Sequence, residues 1–246
     1  MNKNYAFIPA RAGSKGIKNK NIQSVGPLNL LEMSLLAALD SEVFTKIFVS
    51  SDGLDILKCA NKTAASLGAS DMVKCVLRPA SISYDDSTTE SALKHTICHY
   101  ATDIEEDDCI YILQPTSPFR NSDLIFDFYA NFEKSGSQSG FTASRITPFL
   151  WRDGLPQYDI MKRKMRQNIS DDEFFYHEDG NIFAFKYDVF KNTGNRIGVN
   201  PFIYKIDDIR SIQVDTNADL EYCRYICEKD NGVNKWTQHL VSLSQR

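Results

Sequence analysis

The sequence has no stretch approaching 18 apolar residues, which argues against a membrane-spanning helix. It also lacks any CxxC pair: the six cysteines stand apart at Cys59, Cys75, Cys98, Cys109, Cys223 and Cys227. Residues 1–16 carry neither the apolar run nor the cleavage signal of a secretory leader, so reduced thiols in the cytoplasm are expected. Disulfide staples are not needed at this length, because a chain of 246 residues buries roughly 70–75% of the surface that its unfolded form exposes. A basic surplus is missing as well. With 28 Lys and Arg against 32 Asp and Glu the net charge is -4, which argues against nucleic acid as the partner, since phosphate-backbone binding draws on positive charge. Any polyanion bound here must meet a local basic cluster. No internal repeat or low-complexity linker divides the chain, so one domain over residues 1–246 is expected.

What is present is an alternation of two periods. Short apolar runs at 5–9, 46–50, 74–77 and 109–113 suit buried parallel strands. Between them, 30–39, 55–67, 88–100 and 123–134 carry apolar residues at helical spacing. Strand-like runs resume at 180–185, 202–206 and 211–215, and a last helix is expected from Thr216, where Thr-x-x-Asp to Asp219 is an N-terminal capping signal. Strands alternating with helices of about 10–15 residues imply βαβ units. The expected fold is therefore α/β: a Rossmann-like, mostly parallel sheet with helices on both faces. Ligands of such sheets bind at the carboxyl ends of the strands, which directs attention to the loops after Pro9, Ser50, Leu77 and Leu113.

Residues 145–178 break this alternation and read as an excursion from the sheet. The segment carries Phe149, Leu150, Trp151, Tyr158, Met161 and Met165 among basic residues. Aromatic, Met and Arg side chains are enriched at interface cores, so a homodimer built through this excursion is expected, with a charged, flexible surface loop as the competing reading.

The most informative loop follows the first strand and contains Arg11, Ala12, Gly13, Ser14, Lys15, Gly16, Lys18, Lys20 and Asn21. Its glycines let backbone N–H groups approach a ligand, while Arg11, Lys15 and Lys20 supply charge matched to a phosphate chain. Neither GxxxxGK[ST] nor GxGxxG is present. A solvated charged turn is the alternative reading, but four basic residues within ten, in an acidic chain, favour phosphate.

This loop resembles the signature of the acylneuraminate cytidylyltransferases, the CMP-sugar synthetases that activate nine-carbon acidic sugars. Further pieces resemble that family in its order: Val49-Ser50-Ser51-Asp52, Leu77-Arg78-Pro79-Ala80, Asp86-Ser87-Thr88-Thr89, the stretch from Leu113 to Arg120, Asp179-Gly180-Asn181-Ile182-Phe183 and Val214-Asp215-Thr216. The resemblance spans residues 5–220, and the first loop and the stretch ending at Arg120 are its specific parts.

The resemblance implies a nucleotide-diphospho-sugar transferase type of fold, with a dimerisation arm at 145–178, and CTP as the nucleotide. It places Arg11, Ala12, Gly13, Ser14 and Lys15 near the phosphates, Lys20 and Asn21 around the nucleotide, and Arg78, Ser87 and Thr89 at the cytosine. It assigns Gln114, Ser117, Arg120 and Phe183 to the acidic sugar, and lets Arg163 and Arg166, beside Gln167 and Asn168, reach a neighbouring active site. Asp215 becomes the metal ligand, for Mg²⁺ with Mn²⁺ able to substitute. Catalysis would rest on positioning and charge neutralisation by Arg11, Lys15, Lys20 and Asp215.

The residues also have readings of their own. Gln114, Ser117 and Arg120 are held between prolines at a strand's carboxyl end, so they are expected to point into the cleft; a plain structural turn competes. Asp85-Asp86 suits the N-terminal dipole of the next helix better than a metal pair. His95 and His99 have a formal metal spacing without further ligands in register, and an ordinary packed helix explains them better. Two departures from the family pattern stand out: Gln213 where many members carry a second Asp, and Leu150 where a Lys is expected. Arg145 or Arg152 is the nearby charge that would take over from the Lys, while Asp207 and Asp208 stand near Gln213 but suit a solvated loop better than a compensating role.

The expected function is a CTP-dependent cytidylyltransferase for a nine-carbon acidic sugar, with no nucleic-acid or membrane partner. Two alternatives stay open: a nucleotide-binding sensor or inactive subunit without turnover, and a cytidylyltransferase for a shorter acid such as 3-deoxy-octulosonate.

Overall fold

Cys109–Leu113 is buried at all five positions, and its alternate side chains serve two cores: Tyr111 and Leu113 pack on one face of the sheet, Ile110 and Ile112 on the other. That two-sided burial is what a continuous apolar run produces when helices cover both faces. The computed structural model describes residues 2–13 and 16–245. Its elements are β1 (Asn4–Pro9), β2 (Ser24–Val25), β3 (Leu28–Asn29), α1 (Leu30–Asp40), β4 (Lys46–Ser51), α2 (Leu54–Ser66), β5 (Val73–Leu77), α3 (Thr89–Tyr100) and β6 (Cys109–Leu113). There follow α4 (Ser122–Ser135), β7 (Ser139–Ile146), β8 (Trp151–Arg152), β9 (Leu155–Pro156), β10 (Phe175–Lys186), α5 (Tyr187–Thr193), β11 (Phe202–Lys205), α6 (Asn217–Lys229) and α7 (Asn231–Ser244).

Seven strands form one sheet in the order β11-β7-β10-β6-β1-β4-β5. β1 pairs in parallel with β4 and β6, β4 with β5, and β7 with β11. β10 pairs antiparallel with both β6 and β7, so it alone runs against the other six. The mostly parallel α/β sheet expected from the sequence is therefore a mixed one. β10 also carries an irregularity between Glu178 and Phe183, where its register against β7 shifts.

Two features correct the expected elements. Residues 211–215 are not a strand: Ser211 N turns back to Asp207 O, Ile212 N to Ile209 O, and Val214 N crosses to Thr116 O at 2.8 Å, so no ladder forms. The excursion is shorter than 145–178, because Arg145 and Ile146 still pair with Tyr176 and Phe175. Outside the sheet lies 147–174, which holds the β8–β9 ribbon and three single 3₁₀ turns. Trp151, Met161 and Met165 are exposed on it.

Local capping follows the sequence closely. Thr216 and Asp219 form the capping box that opens α6, and Asn29 with Glu32 does the same for α1. Cys223 and Cys227 are buried between α6 and α7, and all six cysteines are free thiols. No helix among the described residues is long and apolar enough to cross a membrane.

Candidate functional site

The carboxyl ends of β1, β4, β5 and β6 open into a cleft of about 290 Å³. β1 hands over to the first loop through Ala10 N, which donates to Ser50 O at 2.9 Å. The loop is then tied on two sides: Ala12 N donates to Asp52 Oδ1 at 2.8 Å, and Asn21 Nδ2 to Arg11 O at 2.8 Å. Asp52, named above only as part of a resembling segment, is therefore the anchor of this loop, and its signal in the sequence is a carboxylate just past a strand's carboxyl end. Ser14 and Lys15 lie outside the described residues.

Gly16 shows why this loop needs glycine. A Cβ there would sit 2.5 Å from the carbonyl oxygen of Asp215, a distance at which backbone must move. The first loop and the 211–215 loop thus touch at Gly16, and Lys20 reinforces the contact with Nζ 3.0 Å from Asp215 Oδ1. Lys20 is largely covered while Asp215 is largely exposed, so the lysine is the constrained member.

Arg11 donates through Nη1 to Tyr84 O at 2.8 Å and lies 3.0 Å from Asp85 Oδ1. Asp85 is therefore the counter-ion of Arg11 and not chiefly a helix-dipole partner. Arg78 is buried, donating to Ser50 O at 3.0 Å and to Ser50 Oγ at 3.3 Å. Burial holds its guanidinium below the ordinary value, with Asp52 opposing the shift and Arg11 adding to it. Opposite Arg78 the cleft is closed by Ser87, Thr88 and Thr89 at the start of α3, where Thr88 caps the helix by accepting from Ser91 N at 3.1 Å. Three cationic side chains and the positive end of a helix dipole thus share one cavity.

Gln114, Pro115 and Thr116 line the far wall. Ser117 and Arg120 do not point into the cleft as expected: both are buried and turned inward. The reason lies in partners remote in sequence. Gln213 Nε2 donates to Ser117 Oγ, and Arg120 directs its guanidinium at Gln114 O and Asn181. Burial pulls Arg120 down to about 9 against the opposing charge of Asp179, which still leaves it a cation near neutral pH. Gln213 itself lines the cleft, its Oε1 accepting from Thr116 Oγ1 at 2.9 Å. Thr88, from the segment expected to read the cytosine, and Gln213, the departure from the family pattern, thus both line the cleft, and Thr116 joins them there.

Phe183 is likewise not at the cleft. It is buried in the sheet between Ile112 and Phe141, under the guanidinium of Arg196 at 4.9 Å. Arg163 stacks on Phe149 at 4.2 Å and donates to the Tyr158 hydroxyl at 3.0 Å, and neither Arg163 nor Arg166 is among the described residues that line this cleft. Asp207 caps Arg210 N at 2.9 Å and stays outside the cleft. His95 and His99 stack with ring centroids 4.6 Å apart, His99 Nδ1 lying 2.9 Å from His95 O.

The described residues contain no group of three or more His, Cys, Asp or Glu side chains arranged to hold a metal ion. One exposed carboxylate, Asp215, faces the cleft. That donor set does not make an all-protein cage, but it fits a hard divalent ion brought by phosphate oxygens and held by a single protein carboxylate.

Fold and cleft together define an α/β protein of the nucleotidyltransferase-like type. The solved structure of CMP:2-keto-3-deoxy-manno-octonic acid synthetase complexed with CTP shares this fold, with a TM-score of 0.63 at 15% identity over 93% of this chain and 99% of that one. The chain belongs to the cytidylyltransferase family, whose profile matches residues 5–167. An N-acylneuraminate cytidylyltransferase from Escherichia coli O18:K1:H7 is 32% identical over 234 residues, which is 92% of this chain and 52% of that protein. This chain thus spans about half the length of that relative. A CMP-N,N'-diacetyllegionaminic acid synthase from Legionella pneumophila is 27% identical over 228 residues, 87% of this chain and 91% of that protein.

Proposed function

We propose that this chain transfers CMP from CTP to the C2 hydroxyl of a nine-carbon acidic sugar and releases pyrophosphate. The observation that carries the reading is the meeting of Arg11, Lys20 and Arg78 with Gln114 and Asp215 in one cleft at the carboxyl end of the sheet. The names of the Escherichia coli and Legionella pneumophila relatives support the sugar class.

In this mechanism the sugar's C2 oxygen attacks the α-phosphorus in line. A new P–O bond forms as the bond to the bridging oxygen breaks, the electron pair leaves with pyrophosphate, and the hydroxyl's proton passes to solvent water. Arg11 and Lys20 neutralise the phosphate chain, with Ser14 and Lys15 of the same loop assigned to it by resemblance, while the backbone at Gly13, beside an Ala12 held by Asp52, lets the chain approach closely. Arg78, Ser87 and Thr89 read the cytosine, whose carbonyl and ring nitrogen accept hydrogen bonds and whose amine donates one. Gln114 holds the sugar. Asp215 would hold Mg²⁺ or Mn²⁺, which when bound supplies charge neutralisation at the leaving group. Rate comes from positioning and electrostatics, and no side chain is assigned as general base. Arg163 and Arg166 act across a homodimer built through the arm, each near the partner's acidic sugar.

The direct test is pyrophosphate release from CTP with a panel of N-acetylneuraminate, legionaminate, pseudaminate and 3-deoxy-octulosonate. Release with at least one nine-carbon acid and not with the octulosonate is the expected outcome. Release with the octulosonate alone, or with no acid, overturns the reading.

A further inference from the structure

Arg120 is 1% exposed, yet its hydrogen bonds go to uncharged acceptors. Nη1 donates to Gln114 O at 3.1 Å, to Asn181 O at 2.8 Å and to Asn181 Oδ1 at 3.2 Å, and Nη2 donates to Ser34 Oγ. A buried guanidinium without a balancing charge is costly. The balance comes through Asn181, whose backbone N–H donates to Asp179 Oδ1 at 2.9 Å, so cation and carboxylate are linked by one residue without touching.

Asn181 is fully buried and extends the link to a third segment. Its Nδ2 donates to Arg210 O at 2.7 Å, at the start of the loop that carries Gln213 and Asp215. The same stretch of β10 presses against the cleft from below: Gly180 has φ +73°, and a Cβ there would lie 2.9 Å from Gln114 Oε1 and 3.4 Å from Gln213 Nε2. One buried cation therefore joins the loop after β6, the irregularity in β10 and the loop before α6. The ties within the opposite wall are separate ones, Ala12 to Asp52, Arg78 to Ser50 and Arg11 to Tyr84, and the two walls meet where Lys20 and Gly16 touch Asp215.

We infer that Arg120 and Asn181 are a positioning pair that fixes Gln114 and the Gln213–Asp215 loop relative to each other, and so sets the half of the cleft assigned to the acidic sugar and its metal without setting the half that carries Arg78, Ser87 and Thr89. The assignment of that half to the sugar rests on the function proposed above; the mechanical coupling does not. Arg120 touches no substrate in this scheme, which is why a residue expected to face the cleft is found beneath it. A misplacement of about 1 Å at a reacting group can cost on the order of a hundredfold, so a strut of this kind is felt in turnover.

The test is Asn181→Ala, with Arg120→Lys as a second variant, read by amide hydrogen exchange and by steady-state kinetics. In Asn181→Ala, exchange at 114–117 and 210–215, including the Val214 amide that donates to Thr116 O, is expected to quicken about tenfold or more, while 46–51 keeps its protection. The KM for the acidic sugar is expected to rise about tenfold or more, and the KM for CTP to rise several-fold less, because the cytosine contacts assigned to Arg78, Ser87 and Thr89 stand on other ties. Uniform quickening across the sheet, or equal rises in both KM values, would make the pair general scaffolding and overturn the inference; so would wild-type exchange at both loops. Arg120→Lys should show the same split, since one ammonium cannot fill both guanidinium positions, Nη1 on Gln114 and Asn181 and Nη2 on Ser34, and if it fails to fold, Asn181→Ala decides alone. If the wild-type chain releases no pyrophosphate with any acid, the functional reading fails while the exchange pattern still decides the coupling.

Discussion

Lys20 and Asp215 meet across the mouth of the cleft, Nζ to Oδ1 at 3.0 Å, although 195 positions separate them in sequence. In the proposed function an incoming triphosphate would give the lysine a more highly charged acceptor, and its metal ion would give the carboxylate a cation. Lys20→Ala should therefore raise the KM for CTP, because it removes a charge-assisted contact of about 1.5–3 kcal/mol, equivalent to roughly ten- to a hundredfold. Steady-state kinetics at varied CTP measure it, and an unchanged KM would remove Lys20 from the phosphate site.

Asp215→Asn keeps the shape and loses the charge. The Mg²⁺ concentration needed for half-maximal turnover should rise about tenfold or more, since a hard divalent ion prefers carboxylate oxygen. Titrating the metal into chelator-treated enzyme measures this shift. Full turnover in excess chelator would end the metal role.

Gly16→Ala introduces a Cβ 2.5 Å from Asp215 O and must push the first loop and the 211–215 loop apart. Turnover should fall about tenfold or more while the far-ultraviolet circular dichroism stays that of the wild type, because the strain is local to two surface loops.

The arm contains a pH-sensitive tie. Hydrogen bonds from Lys164 and then from Ser170 hold the Glu173 carboxyl down to about 2. A carboxyl depressed in the folded state stabilises it above the unfolded value of about 4.5, and that contribution is lost as pH falls through about 2. An acid titration followed by tryptophan fluorescence, with Trp151 on the same segment, should show a transition in this window. Glu173→Gln should abolish it.

Exposed Trp151, Met161 and Met165 on the arm should be covered in a homodimer. Trp151→Glu combined with Met161→Glu is expected to give a monomer by light scattering at micromolar concentration. A wild-type chain that is monomeric there and fully active would end both the interface and the shared-site proposal.

What could be read in the sequence was whatever local chemistry dictates. β1, β4 and β6 are unbroken apolar runs because helices bury both of their faces, and Thr216 with Asp219 announces α6 by a hydrogen-bonding pattern confined to one turn. β7 was not found, since Ser139, Gly140 and Thr142 interrupt its apolar residues, and these small side chains are buried only because β10 and β11 flank them. α7 begins with Asn231 and Gly232, which weaken helical propensity, and packing against α1 and α6 overrides them. At the site, Arg11, Lys20, Asn21, Arg78, Gln114 and Asp215 come together because each loop leaves the same edge of the sheet. The orientation of Ser117 and Arg120 was not legible. It is decided by Gln213 and Asn181, 96 and 61 positions away.

A strand that enters a parallel sheet backwards must begin where its neighbours finish. β10 does so, with Phe175 beside Ile146, the last residue of β7. Both roots of the 147–174 arm therefore stand on the rim of the sheet that bears the cleft, whereas a β10 parallel to the rest would have sent one root to the opposite rim. In the proposed homodimer the arm would therefore hold its neighbour from the rim that also bears the cleft, so recruiting a second copy and admitting substrate would start from a single side.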